Sequence, residues 1–152
     1  MATQRLSGHM DPSGEFKGCF GCGQENAVGL GLEFVEIEGS VAAETSIDRR
    51  YAGYANFVHG GVVATLLDEA MGWALWVLAK KSGVTQTLNI TYKRPVYVER
   101  CVRISSWLDT GAPANSPMKV HARIEDERGR VLAEASGDWV IVRDQRRAAP
   151  AV

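Results

Sequence analysis

Residues 59–79 read HGGVVATLLDEAMGWALWVLA, and this stretch decides the fold. From Val62 to Ala79 nearly every residue is apolar, which reads as one helix of roughly 20 residues opened by His59-Gly60-Gly61 and stopped at Ser82-Gly83. Its length would suit a membrane span. Two adjacent acids near its centre, Asp68 and Glu69, would each oppose insertion by about 2.5–3.5 kcal/mol. The expectation is therefore a helix buried in a globular domain. A buried carboxylate is costly unless it is paired or used, so both acids need a role.

On a 3.6-residue period, Gly61, Thr65, Asp68 and Gly72 form one narrow stripe of small or polar groups. Such a stripe admits the close approach of a second subunit or a slender ligand, and Asp68 projects into it. Glu69 lies about 100° further round. It is expected to be a structural carboxylate doing a different job.

Outward from the helix, 30–39 and 40–48 read as two alternating strands joined by a turn at Glu38-Gly39-Ser40, with an irregular connection at 49–58. After the helix, 84–98 reads as a strand whose Pro95 implies an edge or a bulge. Further strands are expected at 101–109, 118–129 and 130–142, the last two as a hairpin around Asp126 to Arg130. The order is β-β-α-β-β-β-β. A single long apolar helix among about six antiparallel strands is best buried by a curved sheet wrapping around it, an α+β architecture.

The expected organisation is a flexible tail over 1–18, one domain over 19–142 and a second tail over 143–152. At 152 residues one domain can bury about two-thirds of its unfolded surface. With 45% hydrophobic and 23% charged residues and a net charge of -1, nothing points to nucleic acid. The polar first fifteen residues lack the apolar core of a signal peptide, and three cysteines fit a reducing compartment, so the expected location is cytoplasmic with no membrane association.

Two glycines at a helix start let a ligand reach the backbone, where free amides and the helix dipole favour developing negative charge. An oxyanion hole for acyl transfer needs this. Gly60 and Asp68 are separated by about 12 Å along the helix axis, too far to serve one carbonyl together. Cooperation requires two helices paired about a twofold axis. The expectation is a homodimer with two interface sites, each using Gly60 of one chain and Asp68 of the other; a dimer of dimers stays open.

The elements CFGCG, GLGLEF, FVHGGVVATLLDEAMGWA and LNITYKRPV, in this order over residues 19–142, resemble the hotdog-fold thioesterases of the phenylacetate-pathway (PaaI-like) type. The resemblance implies hydrolysis of an acyl-coenzyme A thioester, with coenzyme A as part of the substrate and no separate cofactor. It implies that the Gly60 amide polarises the carbonyl, that Asp68 of the partner chain acts as general base or nucleophile, and that Thr85 positions the water. Some relatives carry an amide side chain six residues before the His, where this chain has Gly53; Asn56 is the substitute considered. Two rivals share the fold. Hydratases of the MaoC type carry a His five positions after the Asp, where Trp73 stands here. A non-catalytic module that only binds acyl-coenzyme A would leave Asp68 without a necessary role.

Among the remaining candidates, His59 and Gly61 belong to the helix entry, His59 as a backbone-bonded residue more readily than as a base. Lys93 and Arg94 are candidates for the phosphates of coenzyme A, or else a solvated pair. Trp73 and Trp76 read as core or interface aromatics, one of which could line an acyl pocket. Cys19-x-x-Cys22 is half of a zinc ribbon with no second pair, so a structural turn is expected and no metal site.

Overall fold

The computed structural model describes residues 14–111 and 117–144. The helix α1 runs from Gly60 to Leu78, and six strands surround it: β1 Val35–Ile37, β2 Ser40–Ser46, β3 Lys81–Tyr92, β4 Cys101–Leu108, β5 Met118–Asp126 and β6 Val131–Asp144. They follow the expected order, with a 3-10 turn at Arg49–Tyr51 in the connection before α1. All neighbouring strands are antiparallel, in the order β1-β2-β4-β5-β6-β3.

α1 carries the chain from β2 to the opposite edge of the sheet and packs on every strand from β2 to β6, so the sheet bends around it. Leu66, Leu67, Ala70, Met71, Ala74 and Leu75 are completely buried on this face. Each large side chain removed from water contributes about 1.5–3 kcal/mol. By length and composition the helix could cross a membrane, but here its apolar face is spent on the sheet.

Three boundaries differ from expectation for identifiable reasons. Ser82-Gly83 does not stop the helix: α1 ends at Leu78, Lys80 turns the chain at a φ of 56°, and both residues lie in β3. The segment before β1 has a strand's alternation, with Leu32 and Phe34 buried, but no ladder. Its backbone is diverted to the preceding turn, where Leu30 N–H donates to Phe20 O at 2.7 Å and Leu32 N–H to Gly21 O at 2.9 Å. Pro95 lies past the end of β3, which is nonetheless an edge strand and irregular. At the N-terminal side, residues 14–18 join the domain: Phe16 meets Trp76 edge-on at 5.8 Å, and Lys17 O accepts from Glu25 N–H. The rest of the expected tails, 1–13 and 145–152, lies outside the described residues.

One irregularity in β3 bears on the site. Thr85 pairs with Trp139 and Thr87 with Asp138, so Gln86 is an extra residue between them. In a regular strand Thr85 and Thr87 would share a face. The bulge reverses the alternation: Thr87 donates to Asp138 Oδ2 on the outer face at 2.9 Å, whereas Thr85 turns towards α1.

Candidate functional site

At the start of α1 the His59 ring caps the helix, its Nδ1 accepting from Gly61 N–H at 2.9 Å, while His59 O accepts from Val62 and Val63 N–H. His59 and Gly61 are thus bound to each other, in agreement with a backbone-bonded histidine. The Gly60 N–H makes no hydrogen bond to any described residue, and Gly60 is an exposed residue. Tyr92, at the far end of β3, donates its hydroxyl to Gly60 O at 2.8 Å. Tyr92 was not a sequence candidate; nothing local connects it to a helix that begins 32 residues earlier.

Further along α1, the Thr85 hydroxyl donates to Asp68 Oδ1 at 2.6 Å. Asp68 borders a mainly apolar cavity of about 180 Å³, walled by Phe16, Trp73, Trp76, Trp139 and the bare backbone of Gly72. A Cβ at Gly72 would come within 3.3 Å of the Trp139 ring, so this chain's own indole fills part of the expected small-residue stripe. The Trp139 indole N–H is buried and finds no acceptor among the described residues. Gly60 is not among the residues lining the cavity. Gly60 and Asp68 stand eight helical steps apart, about 12 Å along the axis.

The other candidates lie elsewhere. Asn56 and Arg94 line a second, larger hollow of about 600 Å³ together with Tyr97 and Arg100. Arg94 also donates through Nη1 to Val131 O at 2.9 Å. Lys93 pairs with Glu134 at 2.7 Å on a partly exposed surface.

Glu69, left without a named partner by the sequence, has one. Cys19 Sγ lies 3.6 Å from each of its carboxylate oxygens. Cys22 belongs to the same cluster, its Sγ within 4.8 Å of Cys19 Sγ and of a Glu69 carboxylate oxygen. Burial pushes the Cys22 thiol far above its usual range, and the Glu69 charge pushes it further.

The thioesterase superfamily profile matches residues 55–133. The chain belongs to the thioesterase superfamily. The match contains all of α1 and β3, and so Gly60, Asp68 and Thr85. This superfamily member is 33% identical over 84 residues to mouse acyl-coenzyme A thioesterase THEM4, an alignment that covers 53% of the chain and 36% of THEM4. The chain spans at most half the length of the curated relatives it matches. Its architecture is the hotdog fold. It is similar to the crystal structure of RHA08564, a thioesterase superfamily protein, at a TM-score of 0.70 and 28% identity, over 78% of this chain and 57% of that one. In fold it also matches smu.793 from Streptococcus mutans UA159, solved bound to acetyl-CoA, at a TM-score of 0.68 and 19% identity, over 75% and 90% of the two chains.

Proposed function

We propose that this superfamily member hydrolyses acyl-coenzyme A thioesters to the free acid and coenzyme A, and that it does so as a homodimer of the PaaI-like type. The observation that carries the reading is Asp68, which lines an apolar cavity and is held by a hydrogen bond from Thr85. A carboxylate held in one orientation beside an apolar slot suits an acyl chain next to a base.

Asp68 takes a proton from water, whose oxygen adds to the thioester carbon, or it attacks that carbon itself and is regenerated by water. In both routes the carbonyl oxygen gains negative charge, which the open Gly60 N–H and the helix dipole stabilise. The carbon–sulfur bond then breaks, and the coenzyme A thiolate leaves and is protonated. Because Gly60 and Asp68 of one helix stand about 12 Å apart, each site takes Gly60 from one chain and Asp68 from its partner. The outer edge of β3, twelve residues without a neighbour among the described strands, offers a backbone ladder for such pairing. Arg94 and Arg100 beside the larger hollow supply positive charge for coenzyme A phosphates.

The reading is tested by complementation. Gly60→Pro removes the proposed oxyanion donor at the first helical position, where proline is tolerated. Asp68→Ala removes the base. Each variant alone is expected to lose thiol release from acyl-coenzyme A. Co-refolded one to one, half the dimers are hybrids with one intact site of two, and about a quarter of wild-type activity returns. Two inert variants that stay inert together would sink the shared site. A wild type that binds acyl-coenzyme A but turns over no member of an acyl panel would leave the non-catalytic module instead.

A further inference from the structure

The N-terminal turn delivers Cys19 and Cys22 to Glu69 of α1, so that two sulfurs and a carboxylate oxygen all lie within 4.8 Å of one another. Cys19 and Glu69 are fifty residues apart in sequence, and the three groups come from two elements. The local geometry is built for the approach. A Cβ on Gly21 would lie 2.5 Å from the Glu69 carboxyl carbon, and one on Gly23 would lie 2.4 Å from Cys19 N and Lys17 O. Only glycine lets the carboxylate enter the bend and lets the bend close tightly, with Gly23 N–H on Cys19 O at 2.9 Å.

The spacing between Cys19 and Glu69 has the dimensions of a coordination shell. Zinc bonded to sulfur at about 2.3 Å and to carboxylate oxygen at about 2.0–2.2 Å, at tetrahedral angles, puts sulfur and oxygen about 3.5 Å apart. Cys19 Sγ stands 3.6 Å from both Glu69 oxygens. Cys22 is buried, Cys19 and Glu69 half-buried, and all three line the apolar cavity, which leaves one side of the cluster facing open space.

We propose that Cys19, Cys22 and Glu69 bind one divalent zinc-class cation, with the fourth position facing the cavity and taken by water. On binding, the two thiols lose their protons to solvent and two metal–sulfur bonds form, and the ionised Glu69 supplies the third. The cation ties the turn at 19–23 to the middle of α1 and so holds one wall of the cavity. Two thiolates with an imperfectly filled fourth position favour zinc or cobalt over magnesium or calcium, which require oxygen ligands. The site is independent of the thioester reading, since its ligands are none of Gly60, Asp68 or Thr85.

The test is a titration of the full-length, reduced, chelator-treated protein with Co²⁺. Saturation at one equivalent per chain is expected, with visible bands of tetrahedral cobalt and near-ultraviolet sulfur-to-cobalt charge transfer, both erased by one equivalent of Zn²⁺. Zn²⁺ should raise the melting temperature of the wild type but not of Cys19→Ser/Cys22→Ser. Glu69→Gln, which keeps the side-chain volume, should weaken Co²⁺ at least about tenfold. A wild type without sulfur-to-cobalt absorption, or a double-serine variant with unchanged Co²⁺ affinity, overturns the proposal, and neither reading requires thioesterase activity. Recovery of the reduced wild type as a Cys19–Cys22 disulfide during the titration overturns it as well.

Discussion

Asp68 and Glu69 are neighbours in the chain and lie on the wall of the same cavity, yet they belong to different parts of the molecule. Asp68 faces β3 and takes one short hydrogen bond from a threonine; Glu69 faces the N-terminal turn and sits against two thiols. The 100° step between successive helical residues is enough to give one carboxylate to the strand after the helix and the other to the chain before the sheet. Adjacent charges in an apolar helix are therefore separate devices, and substitutions should separate them.

The largest effect is expected from Asp68→Ala. If Asp68 is the base, kcat/KM for acyl-coenzyme A thiol release falls about 10²–10⁴-fold while the folded state persists, as seen by circular dichroism and melting. Glu69→Ala should act on stability first. It strips the thiols of their carboxylate partner, and denaturant unfolding of the metal-free protein should show a loss of about 1–3 kcal/mol. A Glu69 variant with Asp68-like kinetics and undiminished stability would break the division between the two acids. The smallest change is Thr85→Val, which keeps the shape but removes the hydroxyl from Asp68. Loss of one positioning hydrogen bond predicts about a tenfold lower kcat with little change in KM. An unchanged kcat would detach Thr85 from the carboxylate's work.

The central helix was legible because its apolar run is long and its two acids argue against a bilayer. The strand order along the chain was legible from alternation and turn residues. Helix and strand limits were less so: Lys80 takes the left-handed turn that Gly83 advertised, and Gly83 is needed instead inside β3, where a Cβ would meet Val140 O at 2.5 Å. Leu32 and Phe34 carry a strand's burial pattern while the Leu30 and Leu32 amides serve a turn, a distinction that side-chain pattern does not encode. At the site, Asp68 and Gly60 stood out from local chemistry, whereas Tyr92 on Gly60 and the cysteines around Glu69 depend on folding across 32 and 50 residues. Thr85 came through resemblance alone. A simple alternation count through Leu88 and Ile90 would have put it on the outer face.

The extra residue in β3 also changes what its free edge presents to other chains. Twelve extended residues with an open row of amides and carbonyls would accept many strands indiscriminately, a hazard for any folded protein. Gln86 notches that row into two short tracts that are out of step with each other. A flat foreign strand can zip onto one tract or the other but not onto both. In the proposed homodimer, the partner's β3 would carry the same notch and would follow the whole edge.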